Sequence, residues 1–372
     1  MSIEKEKISS LQLMALIFFS MSGSVGVFYS GSIAGNNMWL AYIAGFAAAL
    51  FLVWIVIKLY SYYPGKNLIE INQCIYGPLW GKIVSLLYVW YFFHLASMML
   101  HNYAAYISTV MLRYTPSDVL ILCTLAMSAY MVRNGAEVMG RCAVNLLPLI
   151  LLTFLLILTT ISNEIELEAL LPIMDIPARD FIRACFQTLI YPFGEIIIFL
   201  MLFPFLKDQN KLGSSIVWGM SLGMANIVVL TLLAITVLQA LGGIFTYPVH
   251  AMIIRIDIAD IITRVDILGA SAGLLLGIIK ITVLYYAATL GAAQLLKLPS
   301  YTSIVLPIGL LLFDLSILQF PDASSSFNFH ALIYPYYAML FEVFLPALTL
   351  LLALARKKIL GRAAEIYRGK EI

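Results

Sequence analysis

Five consecutive residues inside an apolar stretch, Tyr191-Pro192-Phe193-Gly194-Glu195, bring together a helix breaker, a glycine and a carboxylate. Backbone groups freed by a break at membrane depth must be satisfied by protein, water or ligand. A second interruption, Ser20-Met21-Ser22-Gly23-Ser24-Val25-Gly26, lies midway through the first apolar stretch. Unwound segments expose half-helix ends, where amide N–H groups attract anions and carbonyls attract cations. A zwitterion such as an amino acid matches both at once. The chemistry on offer is therefore recognition. Gly23, Gly26 and Gly194 leave room beside both backbones, while Phe193 narrows what remains.

Other ionisable residues sit among the apolar ones. Glu195 follows the second break, where the start of a half-helix favours a carboxylate. It would receive a ligand ammonium, carry a proton, or cap the amides of its own half-helix. Lys280, in Gly-Ile-Ile-Lys-Ile, is about fifteen residues from either end of its stretch, too deep to snorkel to water. Asp314 and Glu342 read as polar glue between helices, and Arg141 as interfacial. Tyr91, His94, Leu95 and Met98 share one face by three- and four-residue spacing, with His101 one heptad beyond His94. No nucleophile–base pair, phosphate-binding glycine loop or metal-ligand spacing occurs, so neither an enzyme nor a cofactor or metal site is expected.

These residues need a membrane scaffold to position them. The 372-residue chain is 62% hydrophobic and only 11% charged, against about a quarter charged in soluble proteins. Its apolar stretches are long enough to cross a bilayer as helices. The sequence therefore predicts an all-α polytopic membrane protein. Ten spans fall at about 11–31, 38–60, 81–112, 117–134, 137–162, 180–206, 214–242, 266–296, 301–320 and 332–356. They make one transmembrane domain, in two blocks at about 11–162 and 180–356, followed by a basic tail over 357–372.

With the N-terminus inside, sixteen Lys and Arg face the cytoplasm and five face the other side, so both termini are expected to be cytoplasmic. The net charge of +2, with no basic stripe outside the tails, gives no reason to expect nucleic acid binding. Cys74, Cys123, Cys142 and Cys185 are scattered and read as packing residues. The first apolar stretch is span-length, which argues against a cleavable signal peptide.

Two connections look structured. Residues 65–80 are amphipathic, with Leu68, Ile71, Ile75 and Leu79 on one face, and should lie at the cytoplasmic interface. Residues 247–266 align Asp257, Asp260 and Arg264 as an outer-surface helix. Gly273-Leu-Leu-Leu-Gly277 reads as a close-packing contact.

The two breaks occupy spans one and six, corresponding positions in blocks of five. Five is odd, so the blocks have opposite topology. Paired broken helices in an inverted repeat point to a small-molecule site at the bilayer midplane, although small-residue runs also serve simple helix packing.

The stretches Ile8–Gly26, Tyr191–Asp208 and Ile244–Ile258 resemble the endospore germination permeases. These are the membrane-embedded B subunits of nutrient germinant receptors in spore-forming bacteria. The resemblance covers essentially the whole chain. It implies the leucine-transporter fold of the amino acid–polyamine–organocation superfamily, a 5+5 inverted repeat with helices one and six broken. It also implies a sensor in the spore inner membrane that works with an A subunit and a lipoprotein C subunit, binds a small amino acid and triggers germination.

In that superfamily span three lines the site, so Tyr91, His94, Leu95 and Met98 would form its wall beside Ser22, Gly23, Ser24, Gly26, Tyr191, Phe193, Gly194 and Glu195. A sodium ion bridges helices one and eight in related transporters. Lys280 would replace it as a fixed cation on the span-one carbonyls, with Leu284 one turn beyond joining the lining. The competing readings are a proton-coupled amino acid symporter and an ion- or water-conducting subunit.

Overall fold

The computed structural model describes residues 6–239, 245–255 and 265–368, with side chains as far as Arg356. Among the described residues, eight helices are long and apolar enough to cross a membrane. One of these, Ser117–Thr160, turns at Gly135 (φ 87°) into spans four and five. The shorter apolar helix Ser10–Val25 is span one, which completes ten. Span two is Met38–Tyr62, and span three is the part of Leu68–Val110 beyond a bend at Gly77 (φ 82°). Only glycine takes such positive φ values without strain, so both corners fall where the sequence supplies one.

Span six is Ala178–Ile190 followed, after extended Tyr191, by the 3-10 helix Phe193–Met201. Spans seven, eight and nine are Leu212–Leu238, Val265–Leu295 and Val305–Leu318. Span ten runs from Ala323 to Arg368 and contains two π-helical turns, Phe329–Ile333 and Leu340–Phe344.

Three segments are buried on every face: residues 15–25 of span one, 190–203 of span six and 276–291 of span eight. A helix apolar all round belongs in the middle of a bundle, and these three form the centre. Span one packs chiefly on spans seven and eight, and span three on span eight. Glycines set the approach. A methyl at Gly219 would lie 2.8 Å from the Met14 carbonyl, and one at Gly277 would run into the Tyr103 ring. The second contact is the packing expected of Gly273–Gly277.

Three sequence-based boundaries shift. The first interruption was expected across Ser20–Gly26, but the helix continues through Val25 and the chain leaves it at Gly26–Gly31. The Ser24 hydroxyl donates to the Ser20 carbonyl one turn back, so this serine is accommodated within helical backbone. Leu79 lies past the Gly77 bend and is 66% exposed, whereas Leu68, Ile71 and Ile75 are buried as the amphipathic pattern predicted. Span ten starts at Ala323 rather than about 332, because Asp322 caps it by accepting from the Ser325 amide at 2.7 Å. That hydrogen bond holds the exposed Asp322 carboxyl below its ordinary range. Of the predicted outer helix, Pro248–Ile254 forms; Asp257, Asp260 and Arg264 lie outside the described residues.

Candidate functional site

The two breaks and span eight meet at one buried ion pair. Lys280 Nζ lies 2.7 Å and 3.0 Å from the Glu195 oxygens, and each side chain is 1% exposed. The ammonium also donates to the Ser24 hydroxyl and lies 4.6 Å from the Tyr191 ring centroid. The fixed cation expected on span-one carbonyls is thus found on a span-one hydroxyl and the span-six carboxylate. The reason is local: two carbonyls at the end of span one are taken by phenols. Tyr191 donates to the Ser24 carbonyl at 2.9 Å, and Tyr103 donates to the Gly23 carbonyl.

Span three contributes a face one residue away from part of the predicted one. Tyr91 and Leu95 are fully buried as expected. The next inward positions are Met99, whose sulfur is 3.7 Å from the Tyr191 hydroxyl, and Tyr103. His94 stacks on Trp90 and reaches the Tyr337 hydroxyl at 3.3 Å, and His101 bonds the Ser316 carbonyl of span nine. Both histidines therefore face spans nine and ten. Met98 and Leu284 are buried in the core. The four-residue repeat 91, 95, 99, 103 carried the inward signal; the histidines drew attention to the neighbouring stripe.

Phe193 packs edge-on against Tyr42 and Phe46 of span two, away from the ion pair. Gly194 admits the Glu342 side chain, since a methyl there would collide with its carboxylate. Glu342 Oε1 accepts from Tyr91 at 2.5 Å, and Tyr91 in turn contacts the Tyr334 hydroxyl at 3.1 Å. The polar-glue expectation thus matches the Tyr91 bond, and the partner is a tyrosine of span three.

A cavity of about 690 Å³ lies on the side of the bundle away from the N-terminus, between the exit of span one (Phe28, Tyr29, Ser32) and the start of span ten (Phe327, Asn328, Ala331). Ser32, Gly35 and Ser324 in its wall are exposed. Rings lie between it and the ion pair: Phe28 is 5.8 Å from Tyr191, 5.1 Å from His330 and 5.8 Å from Phe327. His330 is held by spans three and ten. Its Nδ1 meets the Ser326 carbonyl at 2.8 Å and its Nε2 meets the Asn102 amide at 3.3 Å, while Ser326 donates to Asn102 Oδ1 at 2.6 Å. The set is self-consistent with a neutral ring that donates from Nδ1. Sequence reading missed this network because the serine-rich start of span ten reads as a loop.

Ser22 and Gly26 line a second, smaller cavity of about 70 Å³ with Tyr106 and His250. Gly26 lies opposite Tyr103, and the Ser22 hydroxyl finds no hydrogen-bond partner among the described residues.

A helical bundle with two broken spans crossing at a buried charged pair defines a multi-pass membrane protein of the leucine-transporter type. Solved transporters bear this out at the level of fold. The nucleobase-cation-symport-1 family transporter Mhp1, closed with bromovinylhydantoin bound, superposes with TM-score 0.67 at 14% identity, over 90% of this chain and 75% of its own. MhsT in complex with L-phenylalanine gives 0.66 at 13%, over 94% and 88%.

The sequence supplies the narrower class. Residues 7–324 match the family described as spore germination protein, and the chain belongs to that family. Spore germination protein KB of Bacillus subtilis (strain 168) is 27% identical over 361 residues, covering 96% of this chain and 97% of the relative.

Proposed function

We propose that this protein is the nutrient-sensing B subunit of a spore germinant receptor, and that it binds a small amino acid where spans one and six are broken. It would lie in the spore inner membrane with both termini toward the core, beside an A subunit and a lipoprotein C subunit. Family membership supports germination. The observation that carries the site is the way the chain satisfies its own break.

Tyr103 and Tyr191 donate to the Gly23 and Ser24 carbonyls, the groups that an amino acid's ammonium would seek. Lys280 supplies the positive charge that links spans one, six and eight. A ligand entering past Phe28 and His330 would displace a phenol, take its carbonyl, and favour a second packing of the bundle. Only such differential contact shifts a conformational equilibrium. That one of the fold's members holds L-phenylalanine fits an amino acid ligand.

The transporter fold favours one competing reading, a proton-coupled amino acid symporter. Purified protein in liposomes separates the two when given labelled small amino acids. Saturable binding without concentrative uptake is expected of a sensor. Accumulation driven by a pH gradient would establish the symporter. Absence of both binding and uptake would remove the amino acid site.

A further inference from the structure

The buried centre holds two carboxyl groups and one ammonium, those of Glu195, Glu342 and Lys280, each 1% exposed. One ammonium cannot balance two carboxylates. Lys280 is committed to Glu195, and no hydrogen-bond donor among the described residues reaches Glu342 Oε2. That oxygen lies against the backbone of Gly194, the residue before Glu195. Groups facing Glu342 from the packed elements are Tyr91 and Tyr88 of span three, Glu195 of span six, Lys280 of span eight and Tyr334 of its own span. The tyrosines are neutral donors, and Glu195 is a like charge.

An unpaired carboxylate in such a place is expensive, and a buried acid in this position neutralises instead. A metal cation would need a shell of oxygens and would stand in the field of Lys280. A proton needs neither. The backbone points the same way: Glu342 lies in the π-helical turn Leu340–Phe344, whose extra residue re-aims a side chain that regular helix would direct elsewhere.

We propose that Glu342 is a proton-binding site, held as a neutral carboxylic acid in this conformation, with Oε1 accepting from Tyr91 and the proton on Oε2. The centre then has zero net charge. A rearrangement that moves the Lys280 ammonium from Glu195 to Glu342 would send the proton the other way, from Glu342 to Glu195, so that one ammonium still faces one carboxylate. Glu342 would thus couple the bundle's state to the position of that proton.

Infrared spectroscopy of the purified protein in lipid at neutral pH tests this. A carboxylic acid C=O band is expected, shifted in deuterated water, lost in Glu342→Gln and kept in Asp314→Asn. Wild-type protein without the band, or a band surviving Glu342→Gln, would overturn the assignment. Glu342→Gln is also expected to keep the wild-type melting temperature within a few degrees, because the amide is isosteric with the neutral acid. Failure of that variant to accumulate in the membrane would count against the proposal. So would a sodium or potassium stabilisation of wild type that Glu342→Gln abolishes, since the site would then belong to a metal cation.

Discussion

The two ends of the bundle are held by different means. At the end bearing the N-terminus, a polar latch holds the bundle. Glu6 accepts from the Ala136 amide at 2.6 Å, from Tyr301 at 2.7 Å and from Tyr286 at 3.1 Å. Its carboxylate sits on Gly135, at the corner between spans four and five. Next to it, Ile8 pairs with the end of span six through Ile8 N to Phe205 O (2.9 Å) and Lys207 N to Ile8 O (3.0 Å).

The other end is tied from span three to span ten by the Asn102, Ser326 and His330 hydrogen bonds. It carries the cavity of about 690 Å³, floored by Phe28 and Phe327 and reaching toward Tyr191 and His330. Directional bonds give one end a single well-defined geometry. At the other, rings pack around the smaller Asn102–Ser326–His330 set. On the function proposed above, the aromatic end would be the ligand's entry and the latch the element that must yield if the bundle rearranges.

Four substitutions break or sharpen this contrast. The largest effect is expected at the centre that both ends share. Lys280→Ala strands Glu195 as a buried, unpaired carboxylate, a loss of about 3–5 kcal/mol, read as a large fall in melting temperature or membrane abundance. The double variant Lys280→Met/Glu195→Gln should recover most of it. Glu6→Ala opens the latched end and leaves three donors without their acceptor, at a cost of about 2 kcal/mol. Amide exchange at Ala136 should accelerate while the span-ten end is unchanged.

Gly135→Ala attacks the same latch through the backbone. Alanine at φ 87°, ψ 175° enters a region open essentially to glycine, at a cost of about 1–3 kcal/mol, and its methyl would lie 2.6 Å from Glu6 Oε1. The exchange pattern should copy Glu6→Ala in weaker form. An effect confined to the cavity end would contradict the latch. Tyr103→Phe frees the Gly23 carbonyl and should cost only about 1 kcal/mol, yet tighten binding of the ligand whose ammonium competes for it. Weaker binding in that variant would mean that Tyr103 contacts ligand directly.

Much of this was legible from the sequence. Ten spans, the broken sixth span and a functional weight on Lys280 follow from hydropathy and from the rarity of charges at membrane depth, while its link to span one came from the family resemblance. Two things were not legible. The first break was placed too early, because Ser20, Ser22 and Ser24 resemble unwound backbone although the Ser24 hydroxyl folds back onto its own helix. Glu342 looked like a routine polar contact, because Gly194, which admits it, is distant in the chain and no local spacing links them. Glu6 escaped for the same reason. Its partners, Ala136, Tyr286 and Tyr301, lie 130 to 295 residues away in the chain.

The most direct test is the melting temperature of the purified protein with individual amino acids, measured in sodium and again in potassium buffer. With Lys280 as the built-in cation of a break site, one or two small amino acids should stabilise the protein equally in both buffers. Stabilisation that appears only with sodium would contradict the lysine's role and return the site to an ion-coupled transporter.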